Sequence, residues 1–160
     1  MNLTFANLLQ HAFATVVNPR PEAKWVMQTF QMTREARWLA LVLTVVLSVI
    51  VAQIGLIFVP ISTDMPFAQI LTSPFLSTIA QTSLLVVMVF VTYFVGRAMG
   101  GTGGFGNTIL VVTWVQFIMT VLQSLQTVAL VVSVPLASIL GVLSFVIFFR
   151  VLTSFIAELH

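Results

Sequence analysis

Four long runs of apolar residues constrain the fold of this chain more than any other feature. They cover residues 38–59, 75–95, 107–131 and 135–156. Crossing the hydrocarbon core of a bilayer takes about 20 residues of α-helix. Only 6% of the 160 residues are charged, whereas soluble domains average about 25%, so the chain cannot cover a water-facing surface. The sequence therefore predicts an all-α integral membrane protein, a polytopic helical bundle with four spans.

All basic residues fall on one side of this predicted bundle. They are, in chain order, Arg20, Lys24, Arg34, Arg37, Arg97 and Arg150. The loop over residues 60–74 carries Asp64 and no basic residue, and the short connection between the third and fourth spans carries no charge. Because basic residues favour the cytoplasmic side of a membrane, we expect a cytoplasmic N-terminus. The connection between the second and third spans is then cytoplasmic as well.

Residues 1–37 are predicted to form a separate cytoplasmic or interfacial region, ahead of a transmembrane bundle over residues 38–160. Apolar side chains gather on one helical face near the N-terminus: they are Phe5, Leu8, Leu9, Ala12, Phe13 and Val16. This pattern predicts an amphipathic helix lying in the membrane interface and ending before Pro19. A second short helix is expected after Pro21, with Val26 and Phe30 on its buried side. The alternative is that both helices dock on the bundle.

The third span carries five polar residues at intervals of three and four. They are Thr113, Gln116, Thr120, Gln123 and Thr127. This spacing places them along one helix face, and unpaired amides facing lipid would be costly, so the stripe is expected to face protein or water. One interpretation is hydrogen bonding between helices. The other is a polar path for a small solute or a lipid headgroup.

The segment over residues 96–106 joins the second and third spans and holds six of the eight glycines. Part of it fits G-x-G-x-x-G, but that fingerprint requires a strand before it and a βαβ unit around it. Here membrane spans flank it, so dinucleotide binding is excluded. We expect a cytoplasmic turn that is a candidate interaction surface, formed by Gly96, Arg97, Gly100, Gly101 and Phe105.

Small residues recur at helical spacing on the other spans, which lets helix backbones approach closely. They are Thr44, Ser48, Ala52 and Gly55 on the first span, Thr92, Gly96 and Gly100 at the end of the second, and Ala137, Gly141 and Ser144 on the fourth. These faces predict packing within the bundle or an oligomer interface. The spacing alone does not separate the two.

Arg150 is the one charged residue well inside a predicted span. We expect its side chain to reach the lipid headgroups, because it lies in the cytoplasmic half of the helix. Pairing with Glu35 or with an anionic lipid is the alternative. A proton relay has no carrier, since none of the predicted spans contains an acidic residue.

Catalytic, cofactor-binding and metal-binding residues are not expected. The chain has no cysteine, which removes disulfides, thiolate catalysis and cysteine-ligated metals. The few acids and histidines form neither an H-E-x-x-H pair nor a carboxylate pair at helical spacing; they are Glu22, Glu35, Asp64, Glu158, His11 and His160. A net charge of +2 provides no electrostatic footprint for nucleic acid.

Several short motifs together resemble those of the Yip family, the Ypt/Rab-interacting membrane proteins, and specifically its small bacterial members. They are Asn18-Pro19-Arg20, Arg37-Trp38, Gly96-Arg97-x-x-Gly100-Gly101 and Asn107-Thr108. The resemblance implies a helical bundle in the bacterial inner membrane, with a cytoplasmic N-terminus. Eukaryotic relatives engage prenylated Rab GTPases in ER–Golgi traffic. That role does not transfer to a chain that resembles the bacterial members, because bacteria lack that machinery. Relatives usually have five spans, so either a fifth span follows His160 or this member is shortened, and we expect the former.

The function we expect is a non-enzymatic membrane scaffold or adaptor. Such a protein would pack with itself or serve as an accessory subunit of another membrane-protein complex. The competing hypothesis is a small-solute or lipid transporter or channel that uses the polar stripe. A third hypothesis is a membrane-shaping protein driven by the N-terminal amphipathic helix.

Overall fold

The computed structural model describes residues 4–59, 62 and 66–159. Within these residues the chain forms seven α-helices and no strand: α1 Phe5–Val17, α2 Pro19–Thr29, α3 Arg34–Phe58, α4 Ala68–Thr72, α5 Pro74–Ala98, α6 Phe105–Val132 and α7 Val134–Leu159. Asp64 and His160, considered above, lie outside the described residues.

Helices α3, α5, α6 and α7 are each long and apolar enough to cross a membrane. The predicted all-α polytopic architecture is therefore confirmed. Helices α3 and α5 begin somewhat earlier than the apolar runs because polar residues cap them. The hydroxyl of Thr33 accepts a hydrogen bond from the amide of Ala36 at the start of α3 (3.3 Å), and Ser73 does the same for Leu76 at the start of α5 (3.4 Å). These caps satisfy amides that lack a partner within the helix.

Helix α6 is the centre of the bundle. In its most apolar stretch 56% of the residues are buried, against 28% or less in the other three spans. Helices α3, α5 and α7 all pack against it, whereas α5 and α7 have almost no contact with each other. A buried cluster joins α3, α5 and α6; it contains Leu41, Val45, Val49, Leu85, Val89, Ile109 and Val112. The result is a bundle that is open between α5 and α7.

The N-terminal helices α1 and α2 dock on α6 and α7. Ala12, Ala23 and Val26 are almost completely buried in a cluster with residues of those two spans. Of the two arrangements considered for this region, docking is therefore the one observed. Phe5 and Phe13 remain exposed, by 69% and 50%, so part of the apolar face still points outward. Whether this face lies in the membrane interface stays a prediction.

One of the contacts that hold α1 is polar and was not expected from its apolar face. Thr15 is fully buried, and its hydroxyl accepts a hydrogen bond from the indole N–H of Trp114 at 3.1 Å. The same hydroxyl donates to the carbonyl of His11 at 2.7 Å. Small side chains at Ala12 and Thr15 allow the α1 backbone to approach the bundle, which bulky phenylalanines on this face would prevent.

Side-chain contacts also tie the N-terminal helices to each other and to α7. His11 Nδ1 lies 2.7 Å from a carboxylate oxygen of Glu22, and its ring stacks on Trp25 with centroids 3.6 Å apart. Lys24 forms an ion pair with Glu158 near the end of α7, at 3.0 Å. This end of α7 is therefore fixed to α2.

Candidate functional site: a glutamine-lined cleft between α5 and α7

The polar stripe on α6 divides into two rows in the structure. The three threonine hydroxyls each donate to the carbonyl four residues earlier in α6, at 2.8 Å for Thr113 and 2.9 Å for both Thr120 and Thr127. These hydroxyls are therefore satisfied within α6 and do not form the expected bonds between helices. Thr127 lies against Gly55 of α3. The glutamines Gln116 and Gln123 face a different surface.

That surface is a cleft of about 430 Å³ bordered by α5, α6 and α7. Four amide side chains line it: Gln81 from α5, and Gln116, Gln123 and Gln126 from α6. The wall on α7 includes Gly141 and Ser144. Polar side chains on membrane-spanning helices lie against protein or water and not against lipid. We therefore expect these amides to contact protein, water or a bound molecule.

A small residue on α7 makes room for one of these amides. A Cβ atom placed on Gly141 would lie 2.9 Å from Nε2 of Gln126, which is closer than ordinary van der Waals contact. The absence of a side chain at Gly141 thus lets Gln126 lie directly against the α7 backbone. This is a packing role within the bundle for one of the predicted small-residue faces.

The amides of the cleft differ in how they are satisfied. Gln81 donates to the hydroxyl of Ser48 at 2.8 Å, which links α5 to α3. Gln116, Gln123 and Gln126 have no side-chain hydrogen bond to any other described residue. An unpaired amide in hydrocarbon costs several kcal/mol. These three groups are therefore suited to binding water or polar groups of another molecule.

A second opening of about 460 Å³ lies between the loop end of α5 and the last turns of α7. Gly96, Gly100 and Gly101 line it together with Thr153 and Ile156. Both openings occur where α5 and α7 fail to meet. Three of the five residues predicted as the loop interaction surface therefore border the same side of the bundle as the glutamines.

The other two predicted loop residues are engaged elsewhere. Arg97 is exposed and lies over the ring of Tyr93, with 5.8 Å between its guanidinium carbon and the ring centroid. Phe105 packs edge-on against Tyr93 at 5.2 Å and tilted against Phe90 at 5.4 Å. These aromatic contacts join α5 to the start of α6.

The glycine-rich turn is shorter than the sequence suggested. Gly96 and Arg97 belong to the last turn of α5, and Phe105 already begins α6, so the connection covers residues 99–104. Gly96 is buried. Gly100 has a φ of 90°, a conformation that favours glycine, and the helix ends there for that reason.

Arg150 reaches the protein itself. Its Nη2 atom donates to the carbonyl of Val17 at 2.9 Å, the last residue of α1. A cation is favourable at the C-terminal end of a helix, where carbonyl groups lack partners. No ion pair between Arg150 and Glu35 is found among the described residues. Contact of Arg150 with lipid headgroups stays a prediction.

Comparison with known proteins decides the family. The family model of the Yip1 domain matches residues 13–160, which is most of the chain. The chain belongs to the Yip family. This is a family of membrane proteins not known as enzymes. No curated protein and no solved structure matches the chain.

Two residues of the cleft in this Yip-family chain were missed in the sequence. Gln126 follows Gln123 by three residues, so it lies about one helical turn further along α6 and faces the same cleft. Gln81 is on a different span, and only the packing of α5 against α3 and α6 brings it to the cleft. The sequence did hold an indication of this cleft, because several glutamines fall inside the apolar spans. In the described part of the Yip-family chain, no cluster of three His, Cys, Asp or Glu residues suited to a metal is present.

Proposed function

We propose that this Yip-family protein is a non-enzymatic scaffold or adaptor that binds a membrane helix in the cleft between α5 and α7. The bound helix belongs to a second copy of the chain or to a complex in which this protein is an accessory subunit. The observation that carries the proposal is the set of three glutamine amides without a partner in the described chain, between two spans that barely touch.

The chemistry of the cleft defines the kind of helix that fits. On the α7 wall, Gln126 already fills the space at Gly141. Ser144 is the small residue beside Phe145 and Phe148, so a helix with small residues can approach closely at Ser144. Ser, Thr, Asn or Gln on that helix would pair with the glutamine amides. Each such contact contributes about 0.6 kcal/mol on average in a membrane, so specificity comes from several contacts acting together.

The double variant Gln116→Leu with Gln123→Leu is expected to weaken recovery of the bound partner roughly tenfold. Two lost contacts of ~0.6 kcal/mol each correspond to almost one factor of ten in binding. The measurement is co-purification from membranes in mild detergent, with quantitative mass spectrometry and size-exclusion chromatography. Both a heterologous partner and a second copy are detected in this way.

The matched control is Thr113→Val with Thr127→Val, which removes two hydroxyls of the same helix that are satisfied within α6. This variant should retain the partner. A photo-crosslinking amino acid at position 123 should capture the partner, and one at Phe94, which is exposed and outside the cleft, should not. A folded glutamine variant that keeps its partner at the original level would contradict the proposal.

Transport of a small solute or a lipid is the second candidate function. The open, amide-lined cleft favours it, since these groups can hydrate a polar molecule. In that case the folded glutamine double variant would lose flux in proteoliposomes. No partner would then co-purify with the parent protein. The adaptor is preferred because the cleft opens to the side of the bundle between two spans.

We propose further that the protein lies in a bacterial inner membrane with its N-terminus in the cytoplasm. The placement of all six basic residues on one side supports this orientation. The chain has no cysteine, so single cysteines report orientation directly. In intact cells, a membrane-impermeant maleimide should label Ser62→Cys and leave Thr102→Cys unlabelled until the cells are opened. Labelling of position 102 in intact cells would reverse the proposed orientation.

A further inference from the structure

A groove of about 290 Å³ lies on the opposite flank of α6 from the glutamines, between α1, α3 and α6. Its walls include Leu8 of α1, Leu43 and Leu47 of α3, and Leu110 and Phe117 of α6. The two threonines in the walls turn their hydroxyls to carbonyls of their own helices. The groove therefore presents hydrocarbon almost throughout.

The groove opens to the outside of the bundle. Leu43 is 60% exposed and Leu47 is 43% exposed, and both lie on the membrane span α3. Phe5, which forms the lip on α1, is 69% exposed. Apolar side chains on the outer face of a span contact lipid tails. The acyl chain of a membrane lipid is therefore the apolar group that can fill the groove.

A cation lies beyond one end of the groove. On α3, residue 37 precedes groove residues 40, 44 and 47 at helical spacing, so Arg37 lies one turn beyond them on the same face. Its guanidinium crosses to α6 and lies over Gly106, where a Cβ atom would overlap it. Gly106 likewise lies one turn ahead of Leu110, which lines the groove.

Arg37 has no anionic partner in the described chain. Its Nε atom is buried without a hydrogen bond, and neither ion pair in the described residues involves it. The guanidinium also lies beside the first turn of α6, which Gly104 caps without a side-chain hydrogen bond. A helix N-terminus carries partial positive charge, so two positive groups meet here. An anion would be favourable to both.

We propose that this groove binds a membrane phospholipid, with one acyl chain along α3 and α6 and the phosphate at Arg37. The apolar walls match the chain, and the unpaired guanidinium matches the phosphate, which it can bind through two parallel N–H bonds. Gly106 acts as a positioning residue, because it leaves the space that the guanidinium occupies. The site is separate from the cleft between α5 and α7.

The test uses the full chain in vesicles of phosphatidylcholine that contain a phosphatidylglycerol probe with a diazirine near the end of one acyl chain. After illumination, mass spectrometry maps the labelled residues. The parent protein should be labelled on groove residues of α3 and α6. Arg37→Gln should reduce this labelling at least about tenfold, since hydrogen bonds to charged groups are strong. Arg34→Gln removes an exposed arginine one turn earlier and should change nothing.

Two further variants separate the phosphate from the chain. Gly106→Leu displaces the guanidinium but keeps its charge, and should lose labelling as Arg37→Gln does, with the protein still monodisperse in detergent. Ala40→Trp fills the groove and should lose labelling with Arg37 intact. A diacylglycerol probe, which has the same tails without the phosphate, should label the groove weakly in all forms.

Equal labelling by both probes, or unchanged labelling in Arg37→Gln, would overturn the phosphate assignment and with it the proposal. Labelling spread evenly over the outer faces of the spans would overturn the groove. The double variant Gln116→Leu with Gln123→Leu should label like the parent protein. Loss of partner binding and loss of the lipid are thereby measured independently.

Discussion

Replacing Trp114 with alanine is expected to release the two N-terminal helices from the bundle. The indole is 5% exposed, and its ring lies 5.8 Å from Trp25 and 5.8 Å from Phe30. It also donates the buried hydrogen bond to Thr15. Truncating a buried tryptophan to alanine costs about 3–5 kcal/mol. These contacts join α6 to α1, to α2 and to the connection that follows α2. The lost free energy therefore weakens the docking of α1 and α2 on the bundle.

Limited proteolysis measures this release. Trypsin cleavage after Lys24, in the middle of α2, should accelerate on the order of a hundredfold if cleavage follows the open population. Trp114→Phe is the matched control: it keeps a ring in the pocket and removes only the indole N–H, so it should accelerate cleavage far less. Unchanged cleavage of Trp114→Ala would show that other contacts hold the two helices.

Replacing Phe155 with alanine is expected to destabilise the whole bundle. Phe155 is fully buried in α7, in the cluster shared by α1, α2, α6 and α7. A cavity at this position costs about 3–5 kcal/mol. For a chain of this size that corresponds to a fall in Tm on the order of 10 °C. The measurement is thermal unfolding in mild detergent, followed by the loss of the monodisperse peak in size-exclusion chromatography.

Phe149→Ala is the control within the same helix. Phe149 is 49% exposed and meets Phe145 edge-on at 4.9 Å, so its loss leaves no enclosed cavity. We expect its Tm to fall by less than about 6 °C, since an aromatic pair contributes about 0.5–1.5 kcal/mol. Equal effects at both positions would mean that the cluster around Phe155 is not a structural core.

The four spans were predictable from the sequence because a bilayer leaves little choice. Backbone groups in hydrocarbon must be paired within a helix, so apolar runs of the right length become spans. The hairpin between α6 and α7 was predicted because few residues separate the last two apolar runs. In the structure a single residue, Ser133, separates the two helices. The short helix α4 was not predicted, because five residues are too few for a periodic pattern.

The division of the polar stripe could not be predicted from spacing alone. Its threonines recur every seven residues, and so do its glutamines, but the two rows are about 60° apart around a helix of 3.6 residues per turn. Sixty degrees is enough to turn one row to α3 and the other to the cleft. Which row faces which helix depends on the crossing of α3, α5 and α7 over α6, and the sequence of α6 does not encode this.

Gly106 likewise shows that a short sequence motif does not reveal contacts with distant parts of the chain. It completes the G-x-G-x-x-G pattern, yet its role is explained by an arginine on another helix. The distance from Arg37 to Gly106 along the chain hides the contact, and only the packing of α3 on α6 brings the two together. The last glycine of the pattern has a structural reason that the flanking sequence does not reveal.

The hydrogen bond between Thr15 and Trp114 has a consequence for the biogenesis of the protein. Its two residues are separated by 99 positions, and α7, the other docking surface of α1 and α2, is synthesised later still. At about 5–20 residues per second, the ribosome needs roughly 5–20 s to supply Trp114 after Thr15 has emerged. During this interval α1 and α2 have left the ribosome without their final binding site. Helices α1 and α2 are thus made well before the surfaces on which they dock, and they reach their native positions late.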